Sequence, residues 1–208
     1  MNLDGYKVLF WDFDGVIKDS VDVKTNAFIK LFEEYGEEIS TKVKEHHLAN
    51  GGMSRFEKFP LYASWVGKKL SNEQLQEYSV RFSKIAYQGV LNSEWVPGVE
   101  RYLRDNLHNQ TFVLVSATPY DELNAISKSL NLNNCFELVF GSPILKREAI
   151  KNSLVSLSVP ASECLMIGDA LADMNAAYAN NVDFLLRRHS SNAAVFEDYL
   201  GPSITVFN

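Results

Sequence analysis

Two aspartates one residue apart, Asp12 and Asp14, stand directly after the apolar run YKVLFW, in the stretch FWDFDGVIKDS, and a glycine, Gly15, follows them. A second acidic pair, Asp169 and Asp173, stands in GDALAD, where the apolar run CLMIGD ends. If both runs are strands of one sheet, four carboxylates gather at one rim, where they repel one another unless a cation or a proton neutralises them. Magnesium suits such a place, because it is a hard ion held by one or two carboxylates together with phosphate oxygens and water. One aspartate at a strand end is as readily a helix cap. Four aspartates at two strand ends are not accounted for in that way.

Two further stretches carry groups that suit a phosphate. In SATPYDEL, Thr118, Pro119 and Asp121 have the spacing of a capping box with proline at the first helical position. That arrangement leaves Ser116, at a strand tip, free to donate its hydroxyl to a phosphate alongside backbone N–H groups of the turn. In SPILKREAI, Lys146 falls at the start of a helix, where the helix dipole disfavours a cation. A nearby aspartyl cluster would explain a lysine in that position.

Positioning these groups requires a sheet. Four runs have strand length and continuous apolar character, YKVLFW, TFVLVS, CLMIGD and VDFLLR, with a weaker fifth at ELVFGS. Continuous apolar runs are expected of parallel strands covered on both faces. Helix-length segments separate them: VERYLRDNLHN, YDELNAISKSLNL, KREAIKNSLVSLS and LADMNAAYANN. The alternation predicts an α/β fold, a doubly wound Rossmann-like parallel sheet whose ligands sit beyond the carboxyl ends of the strands. The stretch from 19 to 92 interrupts it with successive helix-like segments. Ser20 opens one that ends at Gly36, and Ser71 opens another. The expected organisation is therefore a core of residues 1–18 and 93–208 and an inserted helical cap over 19–92.

Composition narrows the partners. Apolar residues make up 46% and charged residues 22%, ordinary for a chain with one substantial core. The 26 acidic residues outnumber the 20 basic ones for a net charge of -6, which argues against a nucleic-acid surface. The start MNLDGYKVLF lacks the pattern of an export signal and no run approaches about 20 apolar residues, so a cytoplasmic protein without a membrane partner is expected. Two cysteines, Cys135 and Cys164, lack metal-type spacing and read as free thiols. His46 and His47, adjacent on a helix, do not share a face and so do not read as a metal pair.

DFDGV, SATP, Lys146 and GDALAD, in this order along the whole chain, resemble the four motifs of the haloacid dehalogenase (HAD) superfamily of phosphotransferases. The helical segment after the first motif is similar to the cap of the branch containing phosphoglycolate phosphatases and β-phosphoglucomutases. The resemblance implies Asp12 as the nucleophile that forms an aspartyl-phosphate and Asp14 as general acid and base. It implies Ser116, Ala117 and Lys146 as phosphate ligands, and Mg2+ held by Asp12, Asp14 (through its carbonyl), Asp169 and Asp173. Asp173 would also orient Lys146. In the cap, NGGMSRFEKF resembles the substrate-specificity loop of β-phosphoglucomutase, which implies Arg55, with Gly52 and Ser54, as contacts to the substrate's distal anion.

Within the superfamily, Asp14 argues against carbon–halogen chemistry, because dehalogenases lack the second aspartate. Lys24 stands where the mutases carry a histidine, and Gly168-Asp169 where they carry Glu-Asp. The expected activity is therefore a Mg2+-dependent phosphatase of a small phosphorylated metabolite. A phosphosugar mutase and a non-catalytic phosphometabolite-binding protein are the alternatives. Asn181, where a glycine is common, is expected to accept a left-handed conformation.

Overall fold

The computed structural model describes residues 3–207. Strand β1 (Val8–Trp11) is apolar and buried at all four positions, as a central parallel strand covered on both faces must be. It pairs in parallel with β2 (Thr111–Pro119) on one side and β4 (Cys164–Gly168) on the other. Outward from β2 lies β3 (Leu138–Ser142), and outward from β4 lie β5 (Asp183–Arg187) and then β6 (Ser203–Ile204). The resulting order is β3-β2-β1-β4-β5-β6 with every pairing parallel. The weak run ELVFGS thus supplies a strand. The two-residue β6 was not among the expected runs, being too short to show a period.

Side chains alternate across the pleat and build one core on each face. Leu9, Trp11, Phe112, Leu114 and Ile167 pack on one side with Leu103 of α5 (Val99–Asp105) and Leu123 and Ile126 of α6 (Tyr120–Ser129). Val8, Phe10, Val113, Val115 and Met166 pack on the other with Ile150 of α7 (Lys146–Ser156) and Ala176 and Ala177 of α8 (Leu171–Tyr178). Asn181, after α8, has φ 55°, the left-handed conformation that asparagine tolerates.

Between β1 and α5 run four helices, α1 (Val21–Phe32), α2 (Glu37–Ala49), α3 (Arg55–Trp65) and α4 (Asn72–Asn92). Ala27, Phe28, Leu31 and Phe32 follow the helical period on α1 and meet Val43, Phe59, Tyr62 and Phe82 in a core separate from the two sheet cores. Ser71 caps α4 in a capping box with Gln74. Ser20 occupies the N-cap position of α1, but its side chain makes no cap bond there. No helix of the described residues is long and apolar enough to cross a membrane.

The strand order reverses between β1 and β4, and in sheets of this kind the crevice beyond that switch is where ligands bind. Because α1 begins ten residues after β1 ends, the inserted helices necessarily start at the rim of that crevice.

Phe59 is fully buried and stacks against Phe28, Tyr78 and Phe82. Phe59→Ala is expected to destabilise the inserted helices by about 3–5 kcal/mol, read from urea unfolding followed by tryptophan fluorescence and by circular dichroism. A loss below about 1 kcal/mol would mean that this cluster is not packed in solution.

Candidate active site

Parallel register brings the two acidic motifs together. Trp11 pairs with Ile167, so the next residues of both strands emerge side by side, and the Asp12 N–H donates to Ile167 O at 3.0 Å. One oxygen each of Asp12, Asp169 and Asp173 lies within 4.8 Å of the others, and all three residues are buried. Lys146, the first residue of α7, reaches into this group, with Nζ 2.9 Å from Asp12 Oδ1 and 2.5 Å from Asp173 Oδ1. A cation at a helix start is accounted for by those two carboxylates. Asp173 also accepts the Ala170 N–H at 3.1 Å, as the third residue of α8. Asp169 Oδ2 lies 2.9 Å from His189 Nε2, and Asn192 Nδ2 donates to the Asp169 carbonyl at 2.9 Å.

One ammonium against three buried carboxylates leaves an excess of negative charge. Burial raises the Asp12 pKa to about 7, with Lys146 opposing and Asp173 and Asp14 adding to the rise. Burial likewise raises Asp169 and Asp173. Burial works against the Lys146 charge, but Asp12 and Asp173 outweigh it and push its pKa up. Three converging hard oxygen donors with unbalanced charge fit a divalent cation such as magnesium. Gly15 makes room for this geometry: its φ is 76°, and a Cβ there would lie 2.2 Å from Asp169 Oδ2.

Asp14 sits in a different setting. It is ion-paired with the Lys24 ammonium of α1, accepts from Ser20 Oγ at 2.6 Å and from Thr118 Oγ1 at 3.4 Å. Lys24 Nζ also donates to Thr118 Oγ1 at 2.7 Å. Burial raises the Asp14 pKa, but Lys24 and the Ser20 hydrogen bond outweigh it, and the net shift is downward. This corner overturns the capping box expected from SATPYDEL. β2 continues through Pro119 and α6 begins at Tyr120 without a side-chain cap, so Thr118 is still in extended chain and its hydroxyl joins the Asp14–Lys24 pair. Charged partners hold hydroxyls more strongly than a backbone N–H does, and Ser20 leaves its own helix end for the same carboxylate. Ser116 is buried, accepts the Thr118 N–H at 3.1 Å, and with Ala117 lines the cavity beside Asp12 and Asp14.

That cavity, of about 70 Å3, is roofed by Lys24, His47, Arg55 and Lys58 from the inserted helices. Arg55 grips Glu122 of α6 with both arms, Nη1 to Oε2 at 2.8 Å and Nη2 to Oε1 at 2.7 Å. Nη1 also donates to Ser83 Oγ at 2.8 Å, and the guanidinium lies 4.3 Å from the Phe82 ring centre. The side chains are 3% and 11% exposed, so the fork expected to meet a substrate anion is engaged by the protein's own carboxylate. Gly52 and Ser54 line a neighbouring groove with Ser142 and Pro143. Ser54 caps α3 in a capping box with Glu57. Gly52 allows the loop to approach the core closely, since a Cβ there would lie 2.4 Å from Ala172 Cβ. Of the stretch NGGMSRFEKF, Gly51, Met53, Arg55 and Lys58 are the residues that reach the cavity.

His46 and His47 face different ways, His46 Nδ1 3.1 Å from the Tyr62 hydroxyl and His47 Nδ1 2.7 Å from Lys58 Nζ. Sequence reasoning did not single out Glu122, Lys58 or His189, and read Lys24 only as a departure from a pattern. Signals existed. Lys24 and Lys58 lie on the apolar faces that carry Phe28 and Tyr62, where helical periodicity calls for another apolar residue. His189 follows β5 and so stands at the same rim as the aspartates.

Residues 8–186 match the family model of haloacid dehalogenase-like hydrolases. Among relatives, YhcW of Bacillus subtilis (strain 168), a candidate phosphatase, is 28% identical over 205 residues, covering 93% of this chain and 89% of its own. The phosphoglycolate phosphatase of Colwellia psychrerythraea is 25% identical over 191 residues, covering 88% and 84%. Among solved structures, β-phosphoglucomutase of Clostridium difficile superposes with a TM-score of 0.77 at 22% identity, covering 97% of this chain and 91% of its own. The chain belongs to the haloacid dehalogenase-like hydrolase family.

The Arg55–Glu122 pair joins an inserted helix to the sheet core and is testable by itself. Glu122→Leu, which strands Arg55 without a counter-charge, is expected to destabilise by about 3–5 kcal/mol, and the double variant Arg55→Met/Glu122→Leu by less. Urea unfolding of the four proteins of this cycle measures the coupling. Additive losses would show that the pair does not form in solution.

Proposed function

As a member of this family the chain is a hydrolase, and we propose that it is a phosphatase of small phosphomonoesters that works through an aspartyl-phosphate at Asp12. The observation carrying this reading is the asymmetry of the first acidic pair. Asp12 lies in contact with Lys146 beside Asp169 and Asp173, while Asp14, two residues on, is tied to Lys24, Ser20 and Thr118. Two carboxylates in such different settings suit two different roles, a covalent nucleophile and a proton carrier. The names of both relatives support a phosphatase.

In the first step an Asp12 oxygen attacks phosphorus, the bond to the substrate's ester oxygen breaks, and the departing alkoxide takes a proton from the Asp14 side. That proton is relayed through Asp14, itself held ionised by Lys24 and Ser20, from the Lys24 ammonium, and the proton taken from water in the second step restores it. In the second step the Asp14 carboxylate removes a proton from water as its oxygen attacks phosphorus, and Asp12 is released with inorganic phosphate. Lys146 and Ser116 hold the phosphoryl oxygens, with the Ala117 backbone beside them. Asp12, Asp169 and Asp173, with the carbonyl of Asp14, would hold Mg2+, whose charge would neutralise repulsion between the nucleophile and the phosphoryl oxygens. The inserted helices act as a cap that keeps bulk water from the reacting phosphorus.

Purified protein freed of metal by chelation is expected to lose hydrolysis of p-nitrophenyl phosphate and to regain it with Mg2+. Asp12→Asn is expected to lower kcat by more than about 10³-fold without changing the circular dichroism spectrum. Retained turnover in that variant would remove Asp12 as the nucleophile. A product that is an isomeric phosphosugar, without free phosphate, would mark a mutase instead.

A further inference from the structure

Three cations of the inserted helices face the cavity, and two of them have carboxylate partners: Lys24 pairs with Asp14 and Arg55 with Glu122. Lys58 differs. It is completely buried, and among the described residues no carboxylate lies within ion-pair distance of it. Among the described residues its one polar partner is His47 Nδ1, at 2.7 Å, and its Nζ lies 5.3 Å from the centre of the Phe28 ring. An ammonium has three donors, and the structure engages one of them. A buried charge without a counter-charge is costly unless something supplies one.

Building on the phosphatase reading, we propose that Lys58, set by His47, is the subsite for a carboxylate on the substrate, so that the preferred substrates are phosphate esters of small hydroxy acids. The geometry favours this position because Lys58 lines the same cavity as Asp12 and Asp14 and its remaining donors have no protein acceptor among the described residues. Charge selects the class. With Lys24 and Arg55 already neutralised within the protein, one positive charge remains on the roof, which balances a singly charged carboxylate but not a second phosphate dianion. His47 supports this assignment, since burial, then Lys58, Lys24 and His46, keep its pKa well below the ordinary imidazole value. It therefore stays neutral and presents an acceptor to the lysine.

Lys58 is held near its point of charge change. Burial first, then Lys24, lower its pKa to about 7, against weaker opposing effects of Glu57 and Asp14. The groups around it are His47 and His46 on α2, Lys24 on α1, Glu57 on α3 and Asp14 after β1. The carboxylate site is charged below about pH 7 and loses its charge as pH rises through that value. Titrations of Asp12 and Asp14 affect any phosphate ester alike and cancel when two esters are compared.

The test compares phosphoglycolate with ethyl phosphate, which has a methyl group in place of the carboxylate, using the Mg2+-loaded full chain. Wild type is expected to favour phosphoglycolate in kcat/KM by at least about tenfold, with the ratio falling as pH rises from 6 to 8.5. Lys58→Met is expected to collapse the ratio toward one, and His47→Leu, which removes the neutral acceptor that favours the charged lysine, to shift its pH midpoint downward. If Lys58→Met does not fold, the wild-type ratio and its pH profile decide by themselves. A wild type that hydrolyses both esters equally, or a ratio that survives in folded Lys58→Met, overturns the subsite and leaves the phosphatase reading standing. A wild type that hydrolyses neither ester nor p-nitrophenyl phosphate overturns both.

Discussion

The excess of buried negative charge at the ends of β1 and β4 is the constraint to which the rest of the structure answers. Asp12, Asp169 and Asp173 are brought together by parallel register and by the first turn of α8, and a single ammonium, Lys146, stands among them. Such a cluster is unfavourable by itself, because burial and mutual repulsion both oppose ionisation. It persists because both strands are fixed on two faces by the sheet cores and because Gly15 leaves space where any side chain would collide with Asp169. The scaffold therefore stabilises a local arrangement that a cation and a phosphoryl group would complete.

Opposite this acidic floor the inserted helices place a basic roof, and the two layers are complementary in charge. Lys24 crosses from α1 to Asp14, and Arg55 crosses from α3 to Glu122. The first link spans 10 residues and the second 67, and together they fix the roof at one height above the floor. Their hydroxyl partners, Ser20, Thr118 and Ser83, add further hydrogen bonds to both pairs, which is the condition under which a buried ion pair is tolerable. Lys58 is the member of the roof for which that completion comes from a neutral imidazole.

Much of the fold was legible because its signals are local. Continuous apolar runs mark parallel strands, and the successive helical segments after Asp19 mark the insertion. The acidic pairs and Lys146 were legible for a related reason, since strand ends in such a sheet share one rim. What was not legible depended on tertiary competition. Thr118 and Ser20 both look like helix caps in sequence, yet both hydroxyls serve Asp14. Glu122 looks like an ordinary acidic residue in a helical first turn, and nothing near it in sequence announces Arg55, 67 residues away. The two-residue β6 lies below the length at which periodicity exists.

The Arg55–Glu122 link also illustrates how strength and registration differ. When a roof lifts from a floor, both members of a salt bridge return to water, and an exposed pair contributes only about 0–1 kcal/mol. The net cost of opening such a link is therefore small, because rehydration offsets most of the lost attraction. The cost of a wrong closure is large by comparison, since either charge buried without its partner carries the full desolvation penalty. A bidentate fork against a carboxylate adds angular restriction to this asymmetry. By this reasoning the link acts less as a clamp than as a register mark, since its geometry suits the one seated position of the inserted helices over Asp12 and Asp14.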